Sequence, residues 1–295
     1  SNCHNPHSDK IKIAGNGLCL QCHSAEHDAP QHTMHATGTQ GSFCVDCHMP
    51  TRTYMTVDAR RDHSFRIPRP DLSATLNTPN ACTNCHTNKT NAWATEAIEK
   101  HAGTAWKTPH YGSVIAQARL GKPTAYDALV QLIQDKTQAS IVRATALGLL
   151  SRFPTRNALN LIQQALRDPD DLIRLGALRA TEILPPEQQS VLLPLLDDAV
   201  RAVRIEAARQ LAGNTITQGN TRFNKARQEY IDSQTIDADR AAALTNLAGL
   251  AIREQRMQEA EKLLLTAIER EPYYIPASIN LADLYRMLKQ ETDAE

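Results

Sequence analysis

Three times in its first ninety residues the chain sets two cysteines and a histidine in Cys-x-x-Cys-His order: Cys19, Cys22 and His23; Cys44, Cys47 and His48; Cys82, Cys85 and His86. On one helical turn, positions i, i+3 and i+4 share a face. Two thiols so placed can form thioethers with the two vinyl groups along one edge of a porphyrin. The histidine then lies beneath the ring as proximal iron ligand. The chemistry this spacing predicts is covalent attachment of c-type haem. Paired cysteines also serve zinc sites and redox dithiols, but neither requires a histidine directly after the second cysteine. Three pairs would also leave one over from a four-cysteine zinc site.

The three motifs use six of seven cysteines. The seventh, Cys3, is followed by His4, so Ser1-Asn2-Cys3-His4 is the same motif without its first cysteine. Either the chain starts inside a fourth motif, or that haem hangs on a single thioether. The completeness of the other three motifs favours the first reading. Both give four covalent haems, with Cys3, Cys19, Cys22, Cys44, Cys47, Cys82 and Cys85 as attachment residues. The proximal ligands are His4, His23, His48 and His86.

Seven of the eleven histidines remain: His7, His27, His32, His35, His63, His101 and His110. A lone histidine is usually a satisfied polar group, but five of these crowd between residues 7 and 63, where ligation becomes the better expectation. Met34, Met49 and Met55 are the other axial donors at hand. They are discounted because histidines are abundant nearby and Met49 directly follows a proximal ligand.

Here the chain resembles a known family. CVDCHMP from Cys44, then Asp62-His63, then CTNCHTNK from Cys82 is similar to the last two haem motifs of pentahaem, ammonia-forming nitrite reductases. The resemblance covers about residues 1 to 105. It implies that His63 is a distal ligand, and that His35, with His32 as its rival, is another. CHNPH from Cys3 to His7 resembles doubled-motif cytochromes, which implies that His7 ligates a neighbouring haem. For the fourth distal position His32 is expected before His27. One departure weakens transfer of the enzyme activity: those reductases use a lysine-ligated haem in a CxxCK motif, and no CxxCK occurs here. No Arg or Tyr can be matched to their catalytic positions, and Gln31-x-Thr33 is only a faint likeness to their Gln-x-His segment. The whole chain resembles the C-terminal part of multihaem cytochromes that carry a tetratricopeptide domain.

The elements that must position these residues divide sharply in composition. Residues 1 to 90 contain only nine Ile, Leu or Val, with Phe43, Tyr54 and Phe65. Such a segment cannot bury enough apolar surface to offset chain entropy, unless bound porphyrins supply the apolar bodies. From about Ala125 the chain becomes rich in Leu and Ala at helical spacing. Arg143, Arg174 and Arg204 recur with Ala146, Ala177 and Ala207 one turn later. Asp168, Asp170, Asp171, Asp197 and Asp198 are expected as N-terminal caps. A period near 30 residues predicts stacked helical hairpins resembling HEAT repeats, although short for that class. After the polar break from Gly213 to Phe223, Leu244, Leu247, Ala248, Ala251, Ala260, Leu264, Ala267 and Pro272 fall where a tetratricopeptide repeat packs. Leu281, Ala282 and Tyr285 begin the next unit. The expected fold is mainly α: a loop-rich multihaem cytochrome c domain over residues 1–112, HEAT-like repeats over 113–215 and tetratricopeptide repeats over 222–295.

Formal charge is zero, with 32 basic and 32 acidic residues, so nucleic acid is not an expected partner. No apolar run approaches the ~18 residues that span a bilayer. Covalent haem attachment implies a periplasmic or extracellular bacterial location. The function expected is electron transfer along closely packed bis-histidine haems, with the repeats serving as scaffold or docking redox partners or further copies of the chain. The alternatives are the C-terminal part of a reductase of nitrogen or sulfur oxyanions, and a subunit of an extracellular cytochrome filament. In the part shown, an electron carrier fits better than a catalyst.

Overall fold

The computed structural model describes residues 2–290. The chain forms two compact units, one ending at Ser113 and the other beginning at Val114.

The first unit is built from short pieces. Its helices are α1 (Pro30–Thr33), α2 (Cys44–His48), α3 (Pro70–Leu76), α4 (Ala81–Cys85) and α5 (Asn91–Ala102). Strands β1 (Thr51–Tyr54) and β2 (Asp58–Arg61) pair antiparallel, with Thr51 opposite Arg61 and Tyr54 opposite Asp58. Met55 and Thr56 at the tip both have positive φ, 48° and 66°, as a tight hairpin turn demands. Asn80 caps α4 by accepting from the Thr83 N–H, and Thr90 caps α5 by accepting from the Trp93 N–H. Among the described residues of this unit, only Ser42, Pro70, Ser73, Asn80 and Ala94 are buried. Nine large apolar side chains, from Ile11 to Ile67, are exposed; Val57 is 86% and Ile67 is 73% accessible.

The second unit is helical throughout. Helix α6 (Tyr111–Arg119) leads into it. Three hairpins follow: α7 (Tyr126–Gln134) with α8 (Ser140–Gly148), α9 (Arg156–Ala165) with α10 (Asp171–Arg179), and a 3-10 run (Pro186–Asp197) with α11 (Arg201–Leu211). Pro194 inside that run has no N–H to donate, which works against a regular α-helical ladder there. Ala146, Ala177 and Ala207 are all fully buried, among Leu147, Ile173, Leu178, Val203 and Leu211.

The recurring arginines join the hairpins. Arg174 donates through Nη1 to the Asp168 and Pro169 carbonyls, and through Nε and Nη2 to both carboxylate oxygens of Asp198 at 2.8 and 3.0 Å. Arg204 repeats this with the Asp198 and Ala199 carbonyls and with Glu229. Arg143 donates to the Ile133 carbonyl. Bidentate, half-buried pairs of this kind hold geometry better than exposed ones. Asp170 caps α10 through the Leu172 N–H, and Asp198 accepts from the Val200 N–H at the start of α11. The expectation of a cap at Asp197 is corrected: its carboxylate pairs with Arg222 instead.

The polar break is ordered. It holds a 3-10 turn at Thr215–Thr217, and Asn220 caps α12 (Thr221–Thr235). Then α13 (Ala241–Arg253), α14 (Met257–Arg270) and α15 (Ile275–Met287) pack in sequence. Ala248, Ala251, Ala260, Leu264 and Leu284 are buried in one cluster with Leu281, and Ala260 opposite Ala248 lets α13 and α14 approach closely.

At Gly176 in α10, a Cβ would lie 2.5–2.9 Å from the backbone of Ala144, so α8 and α10 touch main chain to main chain. Gly176→Ala is expected to destabilise the helical unit by about 1–3 kcal/mol through overpacking. Gly249→Ala in α13, where a Cβ meets nothing within 4 Å, is expected to be neutral or to stabilise by up to about 1 kcal/mol. Denaturant melts of the helical circular dichroism signal check both; equal effects at the two positions would refute the close contact.

Candidate cofactor site

Each complete Cys-x-x-Cys-His segment closes on a single turn. CVDCH is helix α2 itself. The His86 N–H donates to the Cys82 carbonyl at the end of α4, and the His23 N–H donates to the Cys19 carbonyl at 3.0 Å. Both thiols and the imidazole of a motif are thereby brought to one side of the backbone. All seven cysteines are free thiols. Burial pushes the Cys47 thiol up to about 11, helped by Cys82, Asp46 and Cys85 nearby. Burial likewise raises Cys82, and burial followed by the proximity of Cys19 raises Cys44.

The histidines meet mainly in pairs. His4 faces His63 with ring centroids 6.3 Å apart, His48 faces His32 at 6.2 Å, and His86 faces His35 at 6.1 Å. A metal held about 2 Å from one nitrogen of each of two imidazoles separates their centroids by about 6 Å. Each pair joins a motif histidine to one distant in sequence. In four of these six rings Nδ1 is tied to a carbonyl: His4 to Asp9, His35 to Thr33, His48 to Arg66 and His63 to Arg61, at 2.7 to 2.9 Å. A carbonyl only accepts, so Nδ1 carries a proton, and it is Nε2 whose lone pair the neutral tautomer would offer. That is the orientation in which second-sphere contacts hold a ligating histidine. Burial, then the proximity of His27, His48 and His101, lowers the His32 pKa and keeps it in the neutral, ligating form.

Among the described residues no group of three or more His, Cys, Asp or Glu converges as a stand-alone metal site. A metal between two protein nitrogens takes its other ligands from elsewhere, and a porphyrin provides four in a plane. The residues present fit haem: imidazoles paired at the separation of two ligands on one metal, cysteines one turn apart, and a unit with many exposed apolar side chains.

His23 and His27 also lie 6.2 Å apart, yet they cannot be partners across a ring. His27 sits in a 3-10 helix (Ala25–Asp28) that rises only about 2 Å per residue. The three intervening residues, Ser24 extended and Ala25 and Glu26 in that coil, are too short to pass round the rim of a porphyrin. His27 contacts His32 at 5.0 Å instead. His7 is exposed, and its backbone N–H is held by the Asn5 side chain. Its ring meets no other histidine ring among the described residues. His101 donates to the Gln31 carbonyl and His110 accepts from the Gly112 N–H.

Two positioning residues carry no motif. Asn16 accepts from the Cys44 N–H and donates to Ser42 and Asp28. Arg61 donates to the Val45 carbonyl and to Asp46 within α2, and to the Met49 carbonyl at its C-terminal end. Spacing could not reveal either, because each acts across the fold rather than along it.

Residues 127–213 match the family model for HEAT repeats, which covers α7 to α11. No curated protein matches the chain significantly, and no solved structure does.

Gly41 has φ of 88°, and a Cβ there would lie 2.8–3.1 Å from the His35 ring. Gly38 has φ of 78° with nothing within 4 Å. Gly41→Ala is therefore expected to move the His35 ring, and Gly38→Ala to leave it in place, although both strain the backbone. The ring-proton resonances of His35 are the measurement; equal shifts in the two variants would refute the contact.

Proposed function

We propose that this chain belongs to a multihaem c-type cytochrome whose first unit carries electrons and whose helical unit docks proteins. Three histidine pairs at the separation of two imidazoles sharing one metal carry the reading, since each joins an expected proximal histidine, two of them in complete Cys-x-x-Cys-His motifs and His4 after Cys3, to one of the expected distal residues. In this reading His4 and His63 serve one iron, His48 and His32 a second, and His86 and His35 a third. His23 serves a fourth, and His7 is its candidate distal ligand or that of a neighbouring haem, as the doubled-motif likeness implies.

Each haem, when bound, supplies a one-electron iron couple whose two imidazole ligands lower its potential relative to a His/Met pair. The chain's part is to orient those imidazoles through Nδ1 and to hold four attachment segments close together. Low aliphatic content fits a domain that folds around its cofactors. The likeness to pentahaem nitrite reductases extends to the ligands and not to a catalytic lysine motif, so an electron carrier is preferred to an oxyanion reductase. Covalent haem places the protein in the bacterial periplasm or outside the cell.

HEAT repeats commonly mediate protein interactions. The second unit has them, and no helix among the described residues is long and apolar enough to cross a membrane. Helices α13 to α15 are read as tetratricopeptide repeats that extend the docking surface toward redox partners or a second copy of the chain.

Mass spectrometry of the denatured chain should show covalent haem at all four sites; three would leave Cys3 unmodified and reduce the count. His63→Ala should convert one low-spin centre to high-spin and raise its potential, read by electron paramagnetic resonance and redox titration. A variant that stays wholly low-spin would remove His63 from the ligand set.

A further inference from the structure

Helix α2, which bears Cys44, Cys47 and His48, has only five residues and an N-cap, Phe43, whose side chain accepts nothing. A helix so short leaves its first N–H groups without intrahelical partners. The Cys44 N–H is satisfied from across the fold: Oδ1 of Asn16 accepts it at 2.9 Å. The same carboxamide donates through Nδ2 to the Ser42 carbonyl at 3.0 Å and to Oδ1 of Asp28 at 2.5 Å. Asn16 lies in the 3-10 turn Gly15–Leu18 directly before Cys19, and Asp28 closes the 3-10 helix that follows His23. One side chain therefore joins the segment entering the Cys19 motif, the segment leaving it and the start of the Cys44 motif. Ser42 is buried, with its hydroxyl donating to the Thr39 carbonyl and accepting from the Gly38 N–H, so the receiving end of the clamp is itself fixed.

Motif spacing alone does not say how near two attachment segments stand, because the loop between His23 and Cys44 allows many separations. The contacts of Asn16 remove that freedom. We propose that Asn16 is a positioning residue that sets the separation and mutual orientation of the haems attached at Cys19/Cys22 and at Cys44/Cys47. The inference rests on the multihaem reading above. It assigns Asn16 no contact with iron; it acts through the backbone N–H of Cys44 and through Asp28.

Neighbouring porphyrins couple their Soret transitions, and the resulting bisignate circular dichroism couplet depends steeply on separation and angle. The full chain is the material, with covalent haem counted by mass and spin state read by electron paramagnetic resonance. Asn16→Ala, which removes all three contacts, should weaken the couplet while the haem count and the low-spin signals stay as in the unaltered chain. Asn16→Asp keeps an acceptor for Cys44 but sets two carboxylates face to face, and should weaken it too. The double variant Asn16→Asp with Asp28→Asn restores a donor and an acceptor across the gap to residue 28, though not to the Ser42 carbonyl, and should recover part of the couplet. An undiminished couplet in Asn16→Asp, or a double variant no better than the single one, overturns the proposal, even if Asn16→Ala fails to fold. An unaltered chain without covalent haem would overturn the multihaem reading itself, a result distinct from either.

Discussion

Burial of apolar side chains drives most folding, and residues 2–113 bury almost none of their own. Pro70 and Ala94 are the apolar side chains that reach the interior, while Ile11, Ile13, Phe43, Phe65 and Ile67 stay exposed. A chain of this length with so little core pays its conformational entropy from some other source. Hydrogen bonds alone give a small net return in water, so the polar clamps of this unit are not that source. They determine arrangement rather than driving folding. In the multihaem reading proposed above, that source is the faces of porphyrins attached through its cysteines and histidines.

The helical unit obeys the opposite rule. Ala146, Ala177 and Ala207 repeat at one depth with no accessible area, and the larger side chains beside them fill a continuous interior. What aligns successive hairpins is polar: Arg174 ties the turn at Asp168 to Asp198, and Arg204 ties the turn at Asp198 to Glu229. Asp198 thus takes part in both steps, by its carboxylate in one and by its carbonyl in the other. Packing makes the repeats stable, and the arginine series sets their register. The HEAT-repeat match covers this stretch and stops at residue 213, where Gly213, with φ of 79°, lies against the Arg253 main chain. A side chain at that position would collide with it.

Much of this was readable from residue order, for a physical reason. Helical repeats write their core into a fixed period, so the buried alanines and the paired arginines could be named from spacing. The Cys-x-x-Cys-His motifs are each confined to one turn, so the cysteines and histidines proposed for haem attachment were equally plain in sequence. Distal histidines are harder, because their partners lie far along the chain. His35 and His63 came from a family likeness, and His32 from its place before Cys44. Only coordinates bring each of them to a motif histidine. His27 illustrates the converse, being close in sequence and in space to His23 but on a 3-10 turn too short to cross a ring. Asn16 and Arg61 lay outside any pattern, since a single polar residue contacting a distant backbone leaves no periodic trace.

Those two residues bear on how a five-residue helix can exist at all. Helix nucleation is unfavourable, and an isolated segment as short as α2 would not hold a turn in water. Asn16 satisfies a donor at its start, and Arg61 donates to the Val45 carbonyl within it and the Met49 carbonyl at its end while pairing with Asp46. The His48 carbonyl accepts from the Arg66 N–H, and the His48 ring donates to the Arg66 carbonyl. The turn that aligns Cys44, Cys47 and His48 is therefore imposed from outside by residues before and after it in sequence. In this unit, motif geometry is a tertiary property. It follows that, if Cys44 and Cys47 carry haem as proposed, the residues most able to disturb that attachment include ones that never touch it.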